Sequence, residues 1–252
     1  VWLEGVGESY VRDVRITPDP DASRILLQAE VDGPSRGLEI RAEALADGKS
    51  AGLAQTTAAW RNNHFTIDLS PKRLWSLEYP YLYDLKVTLK KDGRVIDELN
   101  SYFGLRKVAI EGAAILINDQ PVFQRLVLDQ GFNPEGIWTS PTDEFLKGDI
   151  ELSKAVGFNG ARLHQKVFEP RFLYWADKLG YLVWGEYPSY GANYGNPVVN
   201  RPIIEEWVDI VRRDRNHPSV IGWCPFNETP GEAGDLQNTV VALTRALDPT
   251  RP

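Results

Sequence analysis

The sequence predicts a multidomain β plus α/β chain. Residues 1–106 form an antiparallel β-sandwich, and residues 107–252 carry the first half of a (β/α)8 barrel, about four βα units. Three observations predict this. Apolar residues alternate with period two through the first hundred residues. From about residue 118 the pattern changes to apolar strands alternating with helices. Each of those later strands ends in polar residues.

Composition narrows the function before any motif is read. The chain of 252 residues carries 28 Lys+Arg against 35 Asp+Glu, a net charge of −7. That balance argues against non-specific nucleic-acid or membrane-surface binding. No window approaches the apolar length of a membrane span. The single cysteine, Cys224, excludes an intrachain disulfide and reads as a small buried hydrophobe. The chain begins at Val1, contains no methionine and stops within "LDPTRP", so an upstream segment and a continuation are expected. Cytoplasmic and periplasmic locations are both compatible with this composition.

In the first half, "RILLQAEV" places Ile25, Leu27, Ala29 and Val31 on one face. "LEIRAEA" does the same with Leu38, Ile40, Ala42 and Ala44, and "DLKVTLK" with Leu85, Val87 and Leu89. This is the pattern of half-buried antiparallel strands. Asp92-Gly93 reads as a tight hairpin turn. Several short strands separated by turn signals predict a sandwich.

In the second half, "VFQRLVLD" is a strand. "SPTDEFLKGDIELSKAVG" is a helix with Ser140 as N-cap, Pro141 at its first position, Asp143 completing a capping box, and Gly157 at its end. "FNGARLH" is a strand, "EPRFLYWADKLG" a helix, and "YLVWGE" a strand. A loop over 187–201 precedes the helix "PIIEEWVDIVRRDRNH", whose Ile203, Ile204, Trp207, Val208 and Val211 form an apolar stripe. Its cationic end, "RRDR", complements the helix dipole. "SVIGWCPF" and "DLQNTVVALTRALD" close the series as strand and helix. Apolar strands each followed by a helix mean a covered parallel sheet. An open sheet and a barrel share this pattern. The strand ends favour the barrel: Asp129-Gln130, Arg162 to His164, Glu186 and Asn227-Glu228 would all reach the C-terminal rim, where barrels build their sites.

Five segments, in order, resemble glycoside hydrolase family 2, the family of β-galactosidases, β-glucuronidases and β-mannosidases. They are "VWLEGVGESYVRDVRITPD", "LWSLEYPYLYDLKVTL", "SYFGLRKV", "DIELSKAVGFNGARLHQK" and "DRNHPSVIGWCPFNETP". The resemblance implies an immunoglobulin-like sandwich leading into a TIM barrel, and a retaining exo-β-glycosidase, β-galactosidase-like, acting on an oligosaccharide or β-glycoside. It implies Glu228 as general acid/base, Asn227 as the partner of a sugar 2-hydroxyl, and Arg162 as the rim arginine of the second strand. His164 falls near the rim histidine, one residue short of the family's commoner spacing. "NETPG" departs from the more usual Asn-Glu-Ser/Ala. The family's nucleophile is a glutamate at the end of the seventh barrel strand, so it is expected outside this chain.

The chemistry explains these residue types. Glycoside hydrolysis needs a proton for the leaving oxygen and a second carboxylate near the anomeric carbon. The acid needs an apolar setting or an anionic neighbour to stay protonated, and Trp223, Cys224, Pro225 and Phe226 precede Glu228. Glu186 is expected to orient Arg162 or His164, standing in for the nucleophile being its other role. Asp129 either binds sugar hydroxyls or terminates its strand. Trp138, Tyr187, Tyr190 and Tyr194 lie in rim loops, where a ring can support a sugar's apolar face. His217 sits at the opposite, stabilising end of its strand. His64, His164 and His217 lack ligand spacing, so no metal or cofactor is expected. The competing reading is a non-catalytic module binding carbohydrate or protein. An unclosed barrel would expose strand edges, and self-association into a homo-oligomer is expected of it.

Overall fold

The computed structural model describes residues 3–229 and 231–252, with the side chain of residue 232 undescribed. Pro230, which flanks the Asn227-Glu228 motif, lies outside the described residues, as do the first two positions. The chain divides into two compact units. One runs to Trp75 and resumes over Tyr81–Arg106, and the other takes Ser76–Pro80 and Lys107–Pro252.

The first unit is two antiparallel sheets around one core. Strands β1 (Tyr10–Asp19), β2 (Arg24–Asp32), β3 (Leu38–Ala46), β4 (Lys49–Thr57), β5 (Asn62–Asp68), β6 (Tyr83–Lys91) and β7 (Arg94–Phe103) form sheets of order β1-β2-β5 and β4-β3-β6-β7. The alternating residues read from sequence on β2, β3 and β6 are all buried in this core. Asp92 and Gly93 join β6 to β7 with φ of 49° and 77°. A two-residue turn with both residues left-handed matches the twist of its flanking strands.

The second unit opens with a small antiparallel meander: β8 (Val108–Glu111), β9 (Ala114–Ile117) and β10 (Gln120–Pro121). The sequence reading missed it. Asn118 and Asp119, at φ of 53° and 64°, form its second tight turn, and that dipeptide was the available signal. Four parallel strands follow in the order β11-β12-β13-β14: β11 (Leu126–Asp129), β12 (Gly160–Leu163), β13 (Leu182–Glu186) and β14 (Val220–Cys224). Helices α1 (Asp143–Ala155), α2 (Pro170–Leu179), α3 (Pro197–Asp214) and α4 (Gly234–Leu247) follow β11 to β14 in turn. Sequential parallel strands, each followed by a helix, are half of a (β/α)8 barrel.

Two helix starts differ from expectation. The N-cap of α1 is Thr142, not Ser140: its Oγ1 accepts from Phe145 N at 3.1 Å. Pro141 therefore lies before the cap, and Asp143 pairs with Arg171 of α2 through two 2.7 Å bonds instead of closing a box. Helix α3 begins at Pro197, five residues before the expected Pro202. Asn196 caps it by accepting from Val198 N at 3.0 Å, and Pro202 lies inside the helix. The N-cap and the first-position proline are correct helix-start chemistry, found one turn earlier.

One face of the parallel sheet packs on the helices. Ala161, Leu163, Val183, Val220 and Trp223 join Phe172, Trp207 and Val240 in a single core. Two of its indole N–H groups are satisfied: Trp207 donates to Thr244 Oγ1 at 2.7 Å and Trp223 to Asp248 Oδ2 at 2.9 Å. Period two sends Arg162, Trp184, Glu186 and Cys224 to the other face. No helix among the described residues is long and apolar enough to cross a membrane.

Candidate active site

The C-terminal ends of β12, β13 and β14 meet in one hydrogen-bonded cluster. Register brings the residues together: Arg162 pairs with Trp184, and Glu186 with Cys224. Arg162 Nε donates to Glu186 Oε2, and Arg162 Nη2 donates to Asn227 Oδ1 at 2.7 Å. His164 Nδ1 lies 3.0 Å from Glu186 Oε1, which also accepts from the backbone N–H of Gln165 at 3.1 Å. The Glu186 side chain has no exposed surface, against 33% for Arg162 and 17% for His164.

A buried carboxylate is tolerated only when it is paired and hydrogen-bonded, and here three donors engage its two oxygens. The bond to Glu186 holds the Arg162 pKa above its ordinary value, outweighing burial. Cys224 turns its thiol into the same cluster and donates to Phe226 O at 3.2 Å, so it is a neighbour of the site and not the simple core filler expected. Burial, then the nearby Glu186 charge, push its pKa up, which makes it a poor nucleophile.

Glu228 follows directly. It is exposed and held at φ 47°, a left-handed conformation that costs a side chain with a Cβ energy. The apolar enclosure expected from Trp223 and its neighbours does not form within this chain. Trp223 faces the helices, 5.8 Å from Trp207 between ring centroids, because residues alternate along β14.

Asp129 does not join this cluster. Its Oδ1 accepts from Gly131 N at 2.8 Å. Its carboxyl lines a cleft of about 300 Å³ on the α1 side with Asp149, Ser153 and Tyr181. Burial raises its pKa, opposed by the Gly131 N–H and Lys166. Trp138 is 64% exposed on the β11–α1 loop. Two residues that the sequence reading did not weigh shape the rim. Gln165 stands at φ 50° under its bond to Glu186. Lys166 Nζ donates to Gly131 O and Trp138 O, both at 2.8 Å, tying that loop down. Neither side chain has a sequence signal of its own. Among the described residues no group of His, Cys, Asp and Glu is placed to hold a metal ion.

Two family models match nearly all of the chain. The model "Glycosyl hydrolases family 2" matches residues 9–106, and "Glycosyl hydrolases family 2, TIM barrel domain" matches 108–252. A β-glucuronidase of Rattus norvegicus is 31% identical over 97% of this chain, and a β-galactosidase of Lactococcus lactis subsp. lactis 27% identical over its full length. The solved β-glucuronidase from Ruminococcus gnavus, in complex with C6-substituted uronic isofagomine, superposes on 96% of the chain with a TM-score of 0.84 and 25% identity. This chain spans 39% of the rat relative, 26% of the Lactococcus one and 42% of the Ruminococcus chain.

Proposed function

The chain belongs to glycosyl hydrolases family 2, and on that premise we propose that the enzyme it is part of hydrolyses O-glycosidic bonds as a retaining exo-β-glycosidase, β-galactosidase-like, with Glu228 as general acid/base. One observation carries the residue assignment. Asn227 is pinned by Arg162 at 2.7 Å, and the next residue presents an exposed carboxylate at the C-terminal end of β14. That end of a barrel strand is where barrel enzymes keep their reactive groups.

Glu186 does not take the nucleophile's part. Both its oxygens accept hydrogen bonds, from Arg162, His164 and Gln165, and its side chain has no exposed surface, an arrangement that supports a positioning role over attack on an anomeric carbon. The nucleophile is a glutamate outside residues 1–252, standing about 5–5.5 Å from Glu228 in the assembled site, the separation of a retaining pair. Asn227 and Arg162 would bind the sugar beside the bond that breaks, with His164 and Glu186 behind them. Trp138 would offer a ring at the rim. Asp129 would act only through the loop it anchors.

The test is hydrolysis of a panel of aryl β-glycosides, including β-galactoside and β-glucuronide, with the mass of the purified protein measured alongside. Glu228→Gln should remove turnover of the best substrate, and azide should partly restore it. Turnover indifferent to that substitution would refute the assignment. Sugar binding without turnover in a wild-type protein of mass well above 28.4 kDa would favour a carbohydrate-binding role.

A further inference from the structure

Two groups in the cluster each have a choice of face to offer a ligand. An asparagine can present its carbonyl or its amino end. A neutral imidazole can be protonated on either nitrogen. In this structure both choices trace back to one buried carboxylate.

Arginine is a donor only. The Asn227 atom 2.7 Å from Arg162 Nη2 is therefore the amide oxygen, and the amino end is left for a ligand. Arg162 can hold that oxygen because its Nε is fixed on Glu186 Oε2. The other oxygen, Oε1, already accepts the Gln165 N–H at 3.1 Å. His164 Nδ1, 3.0 Å from the same oxygen, must be the protonated nitrogen, because an unprotonated one would set two lone pairs against each other. His164 Nε2 then carries the free lone pair of the neutral ring.

We propose that Glu186 is a positioning residue that fixes the hydrogen-bond polarity of the sugar site, a donor at Asn227 Nδ2 and an acceptor at His164 Nε2. The proposal rests on the glycosidase reading for its ligand. A polyhydroxylated ring fits this polarity, with one hydroxyl oxygen accepting from Asn227 and another hydroxyl donating to His164. An ammonium group at the position facing Asn227 is excluded, since two donors would meet there.

Glu186→Gln tests the idea because the amide has one acceptor end. Arg162 Nε on one side and the Gln165 N–H on the other are both donors only, so the single amide oxygen can keep just one of them. With the oxygen on Arg162 the amino group meets His164, and the imidazole, which can change tautomer, moves its proton to Nε2. With the oxygen on Gln165 and His164 the amino group meets Arg162, and Asn227 is loosened. Long-range proton–nitrogen NMR correlation at alkaline pH reads this directly, with His164→Gln to assign the resonance. The expected result is an Nδ1-protonated ring in the wild type and, in Glu186→Gln, either an Nε2-protonated ring or a loosened Asn227. A wild-type ring protonated on Nε2, or a variant in which neither changes, overturns the proposal.

The second readout is discrimination against a 2-deoxy aryl β-glycoside. A site built to bond a hydroxyl should lower kcat/KM for the 2-deoxy substrate at least about a hundredfold, and where the variant's amino group faces Arg162 a loosened Asn227 should shrink that ratio to below about tenfold. A ratio equal to the wild type's, with the ring tautomer also unchanged, overturns the proposal. Absence of turnover in the enzyme that includes the nucleophile would sink the glycosidase reading alone, because the tautomer measurement needs no substrate.

Discussion

The ring of Trp184 lies against Gly222 so closely that a β-carbon on Gly222 would stand 2.8 Å from Trp184 Cε3. The two residues pair in register on β13 and β14. The indole is also fixed by donating to Gln124 Oε1 at 2.8 Å, so it has no easy retreat. Gly222→Ala should destabilise the second unit by about 1–3 kcal/mol, the usual cost of overpacking. Urea denaturation checks this, and a stability unchanged from wild type would refute it.

Glu228 holds a left-handed backbone at φ 47° while its side chain stays exposed. Asparagine tolerates that conformation better than glutamate. Glu228→Asn should therefore raise stability by about 0.5–1 kcal/mol while removing hydrolysis, since strain at a functional residue is relieved at the expense of its chemistry. Thermal melting and the aryl glycoside assay, run on one preparation, should move in opposite directions.

His217 Nδ1 lies 2.6 Å from Asp177 Oδ2, and Asp177 is fully buried at the entrance of β14. Burial of the ring pushes its pKa down, but Asp177 and Asp214 outweigh this, and the net value lies above 6.5. A folded pKa above the unfolded one adds stability that is complete below the unfolded value and fades as pH rises through the folded one. Stability should accordingly fall on raising the pH from about 6.5 towards the alkaline side, and His217→Asn should flatten that dependence. The variant should also cost about 3 kcal/mol, by leaving a buried carboxylate short of its partner. Denaturation midpoints across a pH series would show both effects.

Lys166 reaches two loop carbonyls, Gly131 O and Trp138 O, with only 14% of its side chain exposed. Lys166→Met keeps most of the apolar stem and removes both charged hydrogen bonds, a loss of about 1.5–3 kcal/mol. The β11–α1 loop should open before the rest of the unit. Hydrogen exchange at residues 131–139 should rise severalfold, while the β2–β3 core of the first unit stays protected. Uniform exchange across both units would contradict this.

Much of the architecture was legible because it depends on local periodicity. Ile25, Leu27, Ala29 and Val31 announce a face of β2 wherever it packs, and all four are buried. Gly180, predicted to end α2, does so at φ 64°. The start of α3 differs from the sequence expectation because Pro202 carries a helix-start signature, while the actual start at Asn196-Pro197 lies within a stretch that reads as loop. A proline inside a helix and one at its beginning look the same in sequence.

Sequence alone determined the order of the four parallel strands and their helices, the faces of those strands and the set of polar residues at their ends, because these follow from side-chain alternation and turn chemistry over a few residues. Tertiary structure alone decided which of those residues meet. Arg162 and Asn227 are separated by 65 positions, and Arg162 and Glu186 by 24. Their bonds exist because parallel pairing sets the register of β12 against β13 and β14. The same pairing sent Asp129 to the α1 side and Glu186 into a dry, donor-lined position. Distance, burial and partner number are properties of the sheet, and no stretch of sequence encodes them on its own.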